Sequence, residues 1–292
     1  MDYLLENDVL RVTVSTHGGQ LVSVRRKSDD VEHIWRGDPA VWKFQAPVLF
    51  PYTGKLKDGS AVIRGKTIEN APPHGVVRLM EHRLLAQTPD TVTLAVDSDE
   101  ESRKIFPYRF RFYAAFRLEG ERLYHTLTVE NTDDAPFAFG IGFHPGFAVP
   151  FDESHTIEDY EVRFSAPQSP RCLETPAGLV SGNSFLLGED MTALPLRDGL
   201  FDGGGWCMAG LDCQTVGLYE KDSRRGVTCR VAGFPYCLLW SQSGRPQFVC
   251  IEPWHSLPDR ADSSGVWEDK AHAAVLSPME RWETTLEMDF LR

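Results

Sequence analysis

Apolar and polar residues alternate with a period of two along most of this chain, and the 3.6-residue period of an amphipathic helix is nearly absent. Residues 9–14 and 20–24 alternate on either side of Thr16-His17-Gly18-Gly19, which predicts a hairpin with His17 in its turn rather than in a site. The clearest pair is central. Phe110, Phe112, Ala114, Phe116 and Leu118 alternate with Arg109, Arg111, Tyr113, Ala115 and Arg117, and the pattern resumes over 123–129 after Glu119-Gly120-Glu121. One apolar and one polar face in each strand predict an antiparallel hairpin with a single buried side. His125 falls on the apolar face with Leu123, Leu127 and Val129, where it reads as a packed core histidine. Further strands are predicted at 215–219, 226–231, 236–240, 248–251 and 282–290. Helix is expected only in short stretches, at 39–43 and 99–105. Short strands separated by Gly and Pro indicate an all-β protein of antiparallel, sheet-on-sheet architecture. Residues 152–205 are rich in Ser, Pro, Gly and acid. Because the strand style is the same on both sides of them, they are expected to form an elaborated loop within one domain spanning 1–292.

Composition narrows the function more than the fold. A chain of 292 residues, 42% of them hydrophobic, can bury a large core. Its net charge of −12 repels phosphate backbones and anionic lipid, so neither nucleic acid nor a membrane is expected as a partner. The first residues, Met1-Asp2-Tyr3-Leu4-Leu5-Glu6-Asn7, do not read as a signal peptide. The six cysteines are scattered, without Cys-x-x-Cys or zinc-type spacing, and several sit inside apolar strands. Reduced, structural cysteines in a cytoplasmic protein are the expectation.

Candidate chemistry is concentrated in two segments. In Phe139-Gly140-Ile141-Gly142-Phe143-His144-Pro145-Gly146-Phe147 a single histidine stands among aromatics, with glycines that permit close backbone approach. An imidazole there suits proton transfer near pH 7, and on that segment alone it reads equally as a buried core histidine. In Phe248-Val249-Cys250-Ile251-Glu252-Pro253-Trp254 one carboxylate is embedded in an apolar run. Gly203-Gly204-Gly205 lacks the spacing of a dinucleotide loop, and there is no Gly-x-Ser-x-Gly elbow, so no cofactor is expected. His144 and Glu252 lack a third ligand at characteristic spacing, so no metal is expected either. A third segment, Leu49-Phe50-Pro51-Tyr52-Thr53-Gly54-Lys55-Leu56, is followed by Pro72-Pro73-His74-Gly75-Val76-Val77-Arg78.

Together and in this order, these pieces resemble the aldose 1-epimerase (mutarotase) family, in particular its LacX-like branch. Phe106-Pro107-Tyr108 and Val129-Glu130-Asn131 add to the likeness, which covers nearly the whole chain. The resemblance implies a large antiparallel β-sandwich of the galactose mutarotase-like type, an open sugar cleft and no cofactor. It implies that Glu252 takes the proton from the anomeric hydroxyl while His144 protonates the ring oxygen. It also implies that His74 hydrogen-bonds the sugar; Lys55 and Arg78 read as candidate substrate contacts or equally as partners of acids elsewhere in this acidic chain. Trp254 reads either as a stacking wall or as core. Two departures bear on detail. Lys55 stands where the family usually carries arginine, and a point donor grips a sugar differently from a planar fork. The place of a family aspartate falls on the glycines of Leu200-Phe201-Asp202-Gly203-Gly204-Gly205, and Asp202 is only its neighbour. The expected partner is a small-molecule sugar, and the oligomeric state stays open. Two other readings remain beside mutarotation of a free aldose: the same reaction on a hexose 6-phosphate, and a sugar-binding module without turnover.

Overall fold

The alternating segments pair into two large antiparallel sheets in a computed structural model that describes residues 1–292. The larger has nine strands, in the order Met191–Pro195, Tyr160–Gln168, Thr215–Glu220, Gly226–Arg230, Arg281–Leu291, Arg122–Asn131, Phe110–Glu119, Thr91–Asp97 and Arg83–Gln87. The C-terminal strand thus lies at the middle of the sheet. The second has eight strands. Seven run in the order Ser184–Leu186, Arg171–Leu173, Trp206–Ala209, Tyr236–Trp240, Phe248–Trp254, Gly142–Phe143 and Val48–Leu49, and Gly146–Ala148 also pairs with Phe248–Trp254. A four-stranded sheet built by residues 2–32 carries the predicted N-terminal hairpin.

The central hairpin shows why the pattern folds this way. Phe110, Phe112 and Ala114 are fully buried, and Val129 and Leu127, the cross-strand partners of the last two, continue the same apolar face. His125 pairs with Phe116 and stacks on its ring at 4.2 Å, so it is indeed a packed core residue. Such side chains join one cluster of 62 buried residues, and each fully buried Phe or Leu contributes about 1.5–3 kcal/mol.

Two expectations need correction. Residues 39–43 are not a helix: backbone amides of Val41 and Trp42 both donate to Asp38 O, one turn that is not continued. Asp38 Oδ1 caps the Ala40 amide, and Trp42 packs against His144, Phe248 and Trp240 rather than along a helix face. The other helix, at 99–105, is real but only four residues long, Ser102–Ile105. Residues 152–205 are not loop throughout. They contribute Tyr160–Gln168 and Met191–Pro195 to the nine-stranded sheet, and Arg171–Leu173 and Ser184–Leu186 to the eight-stranded one. Three of these four strands are short and lie at or near sheet edges, where one side faces water and the alternation fades.

Candidate active site

Strand Phe248–Trp254 lies inside the eight-stranded sheet and sorts its side chains by parity. Val249 and Ile251 join the main core, whereas Phe248 and Cys250 pack in a separate small cluster with Trp35, Trp42 and Trp240. Glu252 and Trp254 follow on this second side, which faces a cleft of about 970 Å³. Cross-strand register extends the floor: Leu173 pairs with Cys207, Cys207 with Leu238, and Leu238 with Glu252. All four line the cleft.

The same register delivers the histidine. On the other side of the strand, Gly142 pairs with Trp254 and Gly146 with Cys250. His144 is midway between the two glycines, as Glu252 is midway between Trp254 and Cys250, so constant register sets the two opposite each other. Their closest atoms, His144 Nε2 and Glu252 Oε2, stand 3.2 Å apart. The glycines are needed for what packs beside this pair. A Cβ on Gly142 would lie 2.5 Å from the Trp254 ring, and one on Gly146 would lie 2.7 Å from the Trp42 ring. With hydrogens there instead, Trp42 stacks on the His144 imidazole at 5.0 Å, and Trp240 meets it edge-on at 5.8 Å.

Burial sets the electrostatics. Desolvation pushes the Glu252 carboxyl well above its ordinary range and holds the His144 imidazole well below its own, with His74 adding to the second effect. Both shifts favour the uncharged forms, so in the free site a proton exchanged within the pair is held by Glu252 rather than by His144. Neither Glu252 Oε2 nor His144 Nδ1 has an aligned hydrogen-bond partner in the protein.

His74 forms the adjoining wall. Its amide donates to Gly54 O at 2.7 Å, and the Gly54 amide donates back to His74 Nδ1 at 3.1 Å. Gly75, at φ +74°, sits where a Cβ would be 2.1 Å from Phe50 O, so only glycine permits this approach. Desolvation, with the Arg78 and Lys55 cations nearby, pushes His74 down to about 3. It is therefore neutral near pH 7. Because Nδ1 accepts, Nε2 carries the hydrogen, which makes His74 a donor.

All six sequence-predicted residues, His144, Glu252, His74, Lys55, Arg78 and Trp254, line this one cleft. Their situations differ. Arg78 is buried; its Nε donates to Pro73 O at 3.0 Å, its guanidinium lies 4.4 Å over the Phe44 ring, and it forms no ion pair. Lys55 is an exposed rim residue whose Nζ donates to Ala177 O at 3.0 Å across the cleft. Trp254 is both wall and core, 2% exposed. The glycines at 203–205 line the cleft, and nothing stands within 4 Å of a Cβ built on Gly203 or Gly204. Asp202 is occupied elsewhere, accepting from the Gly244 amide at 2.7 Å. Trp42, Phe44, Trp240, the rim Glu174–Gly178 and the Cys207 thiol were not legible as cleft residues. The aromatic Trp42-Lys43-Phe44 was the one available signal, obscured by reading it as helix. All six cysteines are free and buried.

The sequence profile of aldose 1-epimerases matches residues 1–195. The chain belongs to the aldose 1-epimerase family. That match takes in His74 and His144 and stops short of Glu252. Longer likenesses include Glu252's segment. The chromosomal protein LacX of Lactococcus lactis subsp. lactis is 28% identical over 98% of each chain. A galactose mutarotase related enzyme from Lactobacillus acidophilus is 30% identical, with a TM-score of 0.93 over 99% of this chain and 97% of that one. A galactose mutarotase-like protein from Lactobacillus casei is 26% identical, with a TM-score of 0.89 over the full length of both. This member of the family thus has the galactose mutarotase-like sandwich that the resemblance implied, and the all-β antiparallel architecture that its strand pattern predicted.

Proposed function

We propose that this protein is an aldose 1-epimerase, interconverting the α and β anomers of a free aldose. The observation that carries the reading is the opposed pair His144 and Glu252, 3.2 Å apart on the cleft floor, both shifted by burial toward their uncharged forms. In ring opening the Glu252 carboxylate takes the proton of the anomeric hydroxyl, and the imidazolium Nε2–H of His144 gives one to the ring oxygen as the C1–O5 bond breaks. The open-chain aldehyde turns about C1–C2. In closure the Glu252 carboxylic acid returns its proton to the former carbonyl oxygen, while neutral His144 takes the proton of the O5 hydroxyl. The two proton placements on the pair are thus the start points of the two half-reactions. Burial favours the one poised for closure, and bound sugar hydroxyls stabilise the charge-separated one needed for opening. His74 Nε2–H donates to a sugar oxygen, and Trp254 offers an apolar wall to the ring. The chemistry calls on no cofactor.

Polarimetry starting from pure anomers of hexoses, pentoses and hexose 6-phosphates tests this directly. Acceleration of anomer exchange is expected, and sugar binding without acceleration would instead identify a binding module. One observation favours a second reading. Arg78 is a buried cation in the cleft without a carboxylate partner, which suits an anionic substituent such as the phosphate of a hexose 6-phosphate. Lys55, already engaged with Ala177 O at the rim, makes a weaker second cation. A free aldose therefore remains the preferred substrate class.

A further inference from the structure

The reaction proposed above uses Glu252 and His144 and leaves Cys250 without a task. Cys250 is two residues before Glu252 on the same face of strand Phe248–Trp254, and it is fully buried. A ligand atom from each of His144, Cys250 and Glu252 lies within 4.8 Å of the other two. Glu252 Oε2, on a residue only 1% exposed, has no aligned hydrogen-bond partner and is aimed into this cluster. The third ligand that sequence spacing did not reveal is thus supplied by strand parity, and the facing histidine by register.

We propose that these three side chains form a binding site for a thiophilic divalent cation of the zinc class, and that the bound cation shuts off turnover. The donor set decides the class. One imidazole nitrogen, one thiol sulfur and one carboxylate oxygen suit zinc or cadmium in a four-coordinate site, whose fourth position here opens on the cleft. Magnesium and calcium call for six or more oxygens and find one carboxylate. With metal–ligand distances of about 2.0–2.3 Å, donors in such a site stand roughly 3.5 Å apart. His144 and Glu252 already stand within that separation, and Cys250, whose donor lies within 4.8 Å of both, has at most about 1 Å to close by side-chain rotation. On binding, the thiol and the carboxyl release their protons to solvent, and metal–sulfur and metal–oxygen bonds form. The cation then occupies both groups the sugar needs, so metal and aldose exclude each other. Inhibition rests on the proposed reaction, whereas binding does not.

The test titrates zinc chloride into the full-length protein by calorimetry, with polarimetry run in parallel. The wild type should bind one zinc ion per chain, and saturating aldose should displace it. Anomer exchange should fall in step with occupancy and return after EDTA. Cys250→Ala and Cys250→Ser should keep their turnover yet need at least about 10²-fold more zinc for both readouts. Magnesium should do nothing. Absence of stoichiometric zinc binding to the wild type overturns the proposal, as does undiminished zinc affinity in whichever cysteine variant folds. Equal binding of magnesium overturns the zinc class. If no sugar is turned over, calorimetry still decides the site, so the two proposals fail separately.

Discussion

Replacing Glu252 by glutamine is the perturbation that bears hardest on the proposed chemistry. Glutamine keeps the length and shape of the side chain and removes its ability to take a proton. A positioned base contributes ~10²–10⁴-fold, so the rate should fall by at least about 10², equivalent to roughly 2.7 kcal/mol of barrier. Stability should change little, because two effects oppose. The amide brings a donor into a buried position 3.2 Å from His144 Nε2, and an unpaired donor there costs about 1–3 kcal/mol. Against this, the wild-type carboxyl has its folded-state value raised. It contributes nothing below its unfolded value of 4.5 and costs stability as pH rises from 4.5 toward the folded value. Glutamine removes that cost at neutral pH. His144→Asn should likewise lower the rate by about 10²-fold or more. The double variant should lose much less than the product of the two single losses, because the pair exchanges protons as one unit. The assay is polarimetric relaxation of a pure aldose anomer, with melting temperature measured on the same preparations. A purely structural role for Glu252 predicts lower melting temperature and unchanged turnover per folded molecule. Near-wild-type turnover in Glu252→Gln would falsify the mechanism.

Other consequences can be measured independently. Anomer exchange should survive exhaustive EDTA treatment; a loss that only a divalent ion restores would count against proton transfer by the pair alone. Hexose 6-phosphate should not be preferred over the free hexose, and a clear preference that salt weakens would promote Arg78 to a phosphate ligand. His125→Phe should raise stability near pH 6 by about 1–3 kcal/mol, because His125 Nε2 is buried without a partner. It should also remove part of the acid sensitivity. Burial lowers the His125 imidazole from 6.5 to about 3, so its stability cost begins as pH falls below 6.5 and grows toward 3. Chemical denaturation of both proteins at pH 7 and pH 5 reads this, and an equal drop in the two would refute it. Gly142→Ala should displace the Trp254 ring and lower sugar affinity; an unchanged KM would show that ring to be core only.

Much of this protein is written in its local pattern. Alternation with a period of two is a property of neighbouring residues, and it was enough to predict the central hairpin of 109–118 with 123–129, the burial of His125 and the all-β class. The six segments of the family likeness likewise named the residues that meet in the cleft. Pattern loses its grip where a strand is short or half-exposed. Three of the four strands inside 152–205 went unread because positions at or beside a sheet edge bury too little to enforce alternation, and Trp42 was misassigned because a single capped turn mimics a helix start. Which strands become neighbours is decided by long-range pairing, and no local signal encodes it. Register across Phe248–Trp254 alone sets His144 opposite Glu252, and hydrogens at Gly142 and Gly146 alone let two tryptophans close beside them. Cys250 is the sharpest instance. Within the sequence it is one more apolar residue of a strand; strand parity sets its sulfur on the face of the carboxylate, and only the pairing of that strand brings the histidine to both.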